Sequence, residues 1–325
     1  MKVFVAGATG AIGKQLVPQL VEAGHEVVGT TRSERKASLI REAGARATIL
    51  DLLDADAVGH AVSAAEPDVI IHQATALDGS LDLRKFDQSF AMTNRLRTEG
   101  TDNLLSAARA AGVTRFIAQS YAGWPFARVG GQMKTEDAPL DDNPPKGVRN
   151  TMAAILHLER AVTGADFLDG IALRYGAFYG PGTSLQLDPP GEQTEMVLKR
   201  QFPVIGNGNG VWSLIHVADA AAATVAALER GQRGIYHVVD DEPTRAGDLI
   251  PGVAEVLGAK PPLRIPRWLG RLLAGEAVTV MMTEIRGASN EKAKRELGWA
   301  PRYRSWREGL AAAMEEPSPE TAVAA

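Results

Sequence analysis

Three glycines at G-x-x-G-x-x-G spacing, Gly7, Gly10 and Gly13, follow directly on the apolar run Val3-Phe4-Val5-Ala6. A segment of helical period runs on from Ala11 to about Ala23. Strand, glycine turn and helix in that order make a cradle for a dinucleotide. Gly7 lets the chain leave the strand through a torsion that a Cβ opposes. Gly10 admits a pyrophosphate against the backbone, and Gly13 lets the helix sit close to the sheet. The helix start at Ala11 and Ile12 then offers unpaired N–H groups and a partial positive charge to phosphate oxygens. Further along, Ser120-Tyr121 and Tyr175 close two strand-like runs and bring hydroxyls to strand ends.

The second strand, Glu26–Thr31, ends in Thr31-Arg32-Ser33, where an NAD-binding chain often carries an acidic residue for the ribose 2′-hydroxyl. Arg32 lies 19 residues past Gly13, and its guanidinium can fork onto a 2′-phosphate. The expectation is NADP(H) in preference to NAD(H). Asp51, after a short third strand over Ala47–Leu50, either faces the adenine amino group or caps the helix that begins near Asp54. The run Asp68–His72 is apolar enough for a strand buried on both faces, and Gln73-Ala74-Thr75-Ala76 after it is placed to line the cofactor. His72 reads as a packed strand-end histidine.

The elements that position these residues alternate. A helix is expected over Glu34–Ala43, one long helical stretch over Asp87–Ala111, a strand over Arg115–Ser120, a helix over Thr151–Val162 and a strand over Gly170–Tyr175. Such alternation implies an α/β protein with a parallel sheet and right-handed crossovers, a Rossmann-type doubly wound sheet. The loop Tyr121–Arg149, rich in Gly, Pro and Asp, is expected to cover the cofactor, with Lys134 and Glu136 placed to close over a substrate. After Gly176 the elements shorten. Helices are expected over Val217–Glu229, Arg245–Leu257 and Arg267–Arg286. The expected division is a dinucleotide-binding domain over 1–176, with returning segments at about 211–240, a smaller C-terminal α/β substrate domain over 177–316, and a frayed tail over 317–325.

The 325 residues carry a net charge of −4, which favours neither nucleic acid nor an anionic membrane as partner. There is no cysteine, so thiolate nucleophiles and Cys-ligated metals are excluded, and no metal site is expected. No apolar run approaches the length of a membrane span, and the first residues already read as the first strand, so a cytoplasmic protein is expected. Its partner is a small molecule; pairing of two chains into a homodimer stays open.

Several segments together resemble the extended short-chain dehydrogenase/reductase superfamily, the NAD-dependent epimerase/dehydratase-like proteins. They are Gly7–Gly13, Thr93-Asn94-Arg95 with Gly100–Leu105, Arg174 followed by Tyr179-Gly180-Pro181-Gly182, Ile215–Ala221 and Leu297-Gly298-Trp299-Ala300-Pro301. The resemblance implies that Gly7, Thr9, Gly10, Ile12 and Gly13, with Ala11 between them, hold the phosphates. It implies further that Asp51 and Leu52 border the adenine, Ala74, Thr75 and Ala76 run along the cofactor, Asn94 lies near the nicotinamide ribose, and Ser120 matches the catalytic serine. The family's catalytic Tyr-x-x-x-Lys pair has no match here. Counting back from Glu159 puts Thr151 and Ile155 at those positions, and no tyrosine of the chain has a lysine four residues later.

Tyr121 and Tyr175 can supply the missing phenol, donating a proton to a developing alkoxide. Trp124, Phe126, Leu185, Met281 and Met282 are expected as apolar substrate walls. The leading expectation is an NADPH-dependent oxidoreductase that reduces a carbonyl or an activated C=C or C=N bond of a small, largely apolar substrate. A nucleotide-sugar epimerase or dehydratase is the alternative within the family, and a non-catalytic NADP-binding sensor or scaffold the alternative outside enzymes.

Overall fold

The structure, a computed structural model, describes residues 1–77, 82–123 and 126–315. Trp124 and the tail from 317 lie outside the described residues. Seven strands form one sheet: β1 (Lys2–Ala6), β2 (Glu26–Thr31), β3 (Arg46–Ile49), β4 (Val69–His72), β5 (Arg115–Tyr121), β6 (Asp169–Tyr175) and β7 (Gly234–Val238). They lie in the order 3-2-1-4-5-6-7 and every pairing is parallel. The order reverses between β1 and β4, so a crevice opens beyond the carboxyl ends of those two strands.

Six helices cover the sheet: α1 (Ala11–Glu22), α2 (Glu34–Glu42), α3 (Ala55–Ala65), α4 (Thr101–Ala111), α5 (Arg149–Gly164) and α6 (Val217–Arg230). α1, α2 and α6 pack on one face around Leu16, Ile40, Ala223 and Tyr175. α3, α4 and α5 pack on the other around Val62, Leu104, Leu158 and Phe116. With both faces covered, Phe4, Ile70 and Ile117 are fully buried, which is why β1, β4 and β5 read as continuous apolar runs. A further core, including Tyr179, Leu214, Ile250, Val253 and Trp306, is built mainly from residues after Ala177. No helix among the described residues is long and apolar enough to cross a membrane.

Two expected helices are corrected. The stretch Asp87–Ala111 is not one regular helix: Phe86–Ser89 and Ala91–Arg95 lead into a π-helical turn over Leu96–Gly100 before α4 begins. The wide turn leaves the Leu96 carbonyl to accept from His72 Nε2 at 3.1 Å, a partner from β4 that periodicity in the helix alone does not reveal. The second correction falls on Arg267–Arg286. Its helical residues stop at Thr283 and are broken at Gly275, whose φ of 87° and ψ of 173° are non-helical. Beyond it, Gly287–Ala288 pairs in parallel with Met133–Lys134, pinning the long loop after β5 to the C-terminal part of the chain. Lys134 and Glu136 are part of that anchor. Lys134 Nζ donates to the Val129 carbonyl at 2.7 Å, and a Glu136 carboxylate oxygen accepts the His237 amide at 2.8 Å, so neither closes over a substrate.

Candidate active site

The glycine turn between β1 and α1 has the geometry a pyrophosphate needs. Gly7 has φ +88°, and a Cβ there would lie 2.6 Å from the Ala74 backbone, so β1 and the segment after β4 touch. A Cβ on Gly13 would meet the Ala8 carbonyl at 2.5 Å. On Gly10, by contrast, it would meet only the Gly7 carbonyl oxygen at 3.5 Å: the space above Gly10 is free. α1 starts without any side-chain cap, which leaves its first N–H groups to a ligand. This turn fits the phosphates of a dinucleotide, and Ala11, Ile12 and Gly13 would hold them.

Thr9 and Thr31 join across the crevice by a hydroxyl–hydroxyl hydrogen bond of 3.1 Å, fixing the end of β2 beside the turn. Arg32, next in line, is exposed and makes no ion pair among the described residues. Ser33 caps α2 by accepting the Lys36 amide. The two readings of Asp51 separate here. Asp54 caps α3, accepting from the Ala57 amide at 3.0 Å, whereas exposed Asp51 accepts the Leu53 amide. Leu52 is buried and its carbonyl accepts from Asn103. Ala74 and Thr75 are half-buried, and the Ala76 amide donates to Thr93 Oγ1 at 3.0 Å.

Around the end of β5 the structure sorts the expected catalytic residues. Ser120 is tied into the structure beside the crevice. Its hydroxyl donates to Glu159 Oε1 at 2.5 Å, and the same carboxylate takes Arg174 Nε and Nη2 at 2.7 Å each. All three residues are buried, so the serine's single donor is spent inside an ion pair between β5, α5 and β6. Tyr175 is engaged as well. It is fully buried, and its hydroxyl sits between Gln73 Nε2 at 3.0 Å and Thr224 Oγ1 at 2.7 Å. Burial pushes it up to about 12.

Tyr121 faces away from Ser120, as neighbours on a strand must. Its ring lies over Gly123, where a Cβ would come within 2.4 Å of the phenol oxygen, and no hydrogen bond among the described residues engages the hydroxyl. Burial raises the Tyr121 pKa to about 12, opposed by the positive charge of Arg97.

Thr151 and Ile155 are both buried. The Thr151 hydroxyl donates to Asp87 Oδ1 at 2.8 Å and accepts from Asn94 Nδ2 at 3.0 Å. Asp87 also receives the Asn150 and Thr151 amides, so it caps α5 and ties it to the helices before the π-helical turn. Asn94 in turn accepts from Arg97 Nη1 at 3.3 Å. Arg97 was not anticipated from the sequence. It is buried, has no carboxylate partner among the described residues, and is lowered by burial to about 10. The sequence carries no clear signal for it, since its buried neighbours Thr93, Asn94 and Thr101 are polar as well.

The expected substrate walls do not form one pocket. Phe126 is buried and lines a small cavity, of about 10 Å³, with Gly123, Pro144, Val280 and Ile285. Leu185 lines a second small cavity, of about 20 Å³, with Phe202, Trp212 and Leu249. Met282 is corrected: it is a buried core residue. Met281 is half-buried, and its carbonyl accepts from the Trp212 indole at 3.0 Å. His216 caps α6 and packs edge-on to Tyr179, and His157 pairs with Asp102 on the surface, so neither enters the crevice. No cluster of three or more His, Asp or Glu side chains among the described residues is arranged for a metal.

Residues 3–239 match the family described as NAD dependent epimerase/dehydratase. Over 313 residues, 95% of this chain and 99% of the relative, the sequence is 46% identical to a 3-diazoavenalumate denitrifying reductase from a Streptomyces species. It is 27% identical over 93% of its length to a 4-hydroxy-2-methyl-3-oxo-4-farnesyl-3,4-dihydroquinoline-1-oxide ketoreductase of Stigmatella aurantiaca, covering 92% of that protein. Among solved structures, the Thermus thermophilus UDP-glucose 4-epimerase complex with NAD superposes with a TM-score of 0.71 at 26% identity, covering 97% of this chain and 98% of that one. With the glycine cradle at the switch point of a 3-2-1-4-5-6-7 sheet, these matches fix the assignment: the chain belongs to the NAD dependent epimerase/dehydratase family and is an NAD(P)-dependent oxidoreductase of the extended short-chain type.

Proposed function

We propose that this protein is an NADPH-dependent reductase of a small, largely apolar organic electrophile. The target group is a carbonyl, an activated C=C or C=N bond, or an aromatic diazo group of the kind named for the Streptomyces relative. One observation carries this reading: at the end of β5, Tyr121 is the phenol whose hydroxyl has no hydrogen-bond partner among the described residues. A phenol with a pKa of about 12 is a proton donor and a poor base at neutral pH. Reduction needs a donor beside the atom that becomes electron-rich.

The bound nicotinamide supplies the hydride. On a carbonyl, C=C or C=N target Tyr121 gives its proton to the substrate atom left negative, and solvent restores it. On an aryl diazonium, hydride at the terminal nitrogen gives a neutral diazene that loses N2 and leaves hydrogen on the ring carbon, drawing no proton from Tyr121. Arg97 stabilises the charge that remains on the phenol during transfer, since its positive charge already opposes the rise in the Tyr121 pKa. Thr151 and Asn94, locked to each other and to Asp87, keep the ribose side of the crevice in one shape. Epimerisation starts from an alcohol and needs a base. Thr151 and Ile155 offer none at the positions where the family carries its pair.

Arg32 gives the cofactor preference, because its free guanidinium at the end of β2 can fork onto a 2′-phosphate. The test is NADPH oxidation with a panel of aldehydes, ketones, enones, imines and aryl diazo compounds, run on the wild type and on Tyr121→Phe. Turnover of aldehydes, ketones, enones or imines that falls by about 10²–10⁴ in the variant supports the donor role. Tight NADPH binding without turnover of any panel member would instead favour a sensor or scaffold.

A further inference from the structure

One surface segment departs in charge and polarity from the rest of the chain. Residues 256–275 carry Lys260, Arg264, Arg267 and Arg271 and no acidic residue, in a chain whose net charge is −4. All four basic side chains are exposed. Arg271 pairs with Glu276 at 2.8 Å, and Arg267 shares Glu284 with Arg128. Lys260 and Arg264 have no carboxylate partner among the described residues. The same segment carries Leu263, Trp268, Leu272 and Leu273, all exposed. Trp268 and Leu272, each 70% exposed, are the most exposed large apolar side chains among the described residues.

The local fold turns these side chains outward. The helix Arg267–Thr283 is broken at Gly275, and its two halves differ in what they bury. After the break, Ala277, Val278, Val280 and Met282 are buried. Before it, Gly270 faces inward: a Cβ there would lie 2.5 Å from Ile205. Trp268 and Leu272, four residues apart, share the opposite face and stand away from the body of the protein. Leu273 flanks them on one side and Arg271 on the other. The outcome is a convex apolar ridge with basic side chains beside it. An exposed apolar patch with a polar rim marks an interaction surface. Trp and Leu on one face, with Arg and Lys next to them, is the composition of a helix that lies in a lipid headgroup layer.

We infer that this segment docks on the surface of a bilayer containing anionic lipid. Trp268 and Leu272 enter the boundary between headgroups and acyl chains, and Lys260, Arg264 and Arg271 lie against the phosphates. A second copy of this chain fits the ridge less well, because a self-complementary contact sets the same arginines against each other. The overall charge of −4 does not oppose docking, since the field of a bilayer reaches only about a Debye length, ~10 Å at 0.1 M salt, and acts on the nearest charges. Docking is reversible, because two helical turns bury little apolar area and need the charge contacts as well. It stands apart from the reductase reading, and it brings the protein to the phase in which apolar molecules collect.

The experiment is co-sedimentation of the full chain with vesicles of phosphatidylcholine alone and of an equal mixture of phosphatidylcholine and phosphatidylglycerol, at low and high salt. The wild type is expected to bind the mixed vesicles at least about fivefold more strongly than the neutral ones, and salt is expected to release it. Two double variants, Trp268→Ser with Leu272→Ser and Lys260→Gln with Arg271→Gln, are each expected to lose at least about fivefold in partitioning. Both are expected to unfold close to the wild-type temperature, because the side chains changed are exposed. Trp212, Trp299 and Trp306 are buried, so a blue shift of tryptophan emission on mixed vesicles reports on Trp268. Trp268→Phe keeps the binding and removes that shift. No binding to mixed vesicles, equal binding to both kinds, or binding that survives Trp268→Ser with Leu272→Ser overturns the inference. So does a dimer found by analytical ultracentrifugation without lipid and lost in that same variant, which assigns the ridge to a second copy.

Discussion

Tyr121 and Ser120 are adjacent in sequence and differ in what their hydroxyls are free to do. The serine is consumed by Glu159 and the tyrosine is not. Tyr121→Phe is therefore expected to cost about 10²–10⁴ in turnover with little change in stability. Ser120→Ala is expected to keep most of its turnover and to lose about 1 kcal/mol of stability, the ordinary worth of one buried hydrogen bond. Steady-state kinetics and urea unfolding on both variants check the pair; a large kinetic loss confined to Ser120→Ala would reverse the assignment. On the proposed reading, cofactor choice also rests on one side chain. Arg32→Ala is expected to bind NADPH about 1.5–3 kcal/mol more weakly with NADH unchanged, measured by fluorescence titration with each. At this scale the sequence was informative wherever a residue's role is local. The glycine turn follows from chain order alone. The fates of Ser120 and Tyr175 depended on partners such as Glu159 and Thr224, supplied by helices 39 and 49 residues further along.

Among the elements, the turn from β1 into α1 joins fold and function most closely, and its glycines should separate the two. Gly7→Ala puts a Cβ against the Ala74 backbone in a left-handed conformation, so the variant is expected to unfold at a clearly lower temperature. Gly10→Ala meets only an ordinary contact at 3.5 Å. It is expected to fold like the wild type and to bind NADPH at least about tenfold more weakly, because the methyl occupies phosphate space. Thermal unfolding and NADPH titration on both variants test this; equal stability of the two, or intact binding by Gly10→Ala, would contradict it. The strands were legible because burial on both faces makes them continuous apolar runs. The π-helical turn was not. What stabilises it includes a hydrogen bond from His72, across 24 residues, and a helical pattern read within one window carries no trace of it.

For the whole molecule, protonation couples the two cores to pH. Burial lowers His72 and His216 to about 4 and His237 to about 3, from an ordinary value of 6.5. Below 6.5 the unfolded chain binds protons that these folded histidines refuse, so their contribution to stability is complete above that value and is lost as pH falls towards 4. Asp240 works in the other direction. Burial raises it to about 8, the folded chain holds its proton while the unfolded chain does not, and stability is lost as pH rises from the ordinary carboxylate range through 8. The windows overlap below 6.5, where three histidines outweigh one carboxyl, so urea unfolding is expected to show a maximum near 6.5, and Asp240→Asn is expected to remove the decline above it. A stability that climbs steadily above neutrality in the wild type would contradict this.

The central claim is that hydride leaves the cofactor for a substrate held at Tyr121. Its most direct measurement is a single turnover with NADPH deuterated at the nicotinamide C4, using any aldehyde, ketone, enone or imine of the panel that is reduced, with the product analysed by mass spectrometry. The account expects deuterium on the reduced carbon, and no transfer in Tyr121→Phe on the same timescale. A product free of deuterium, or NADPH that binds tightly and is never oxidised by any compound, would contradict it.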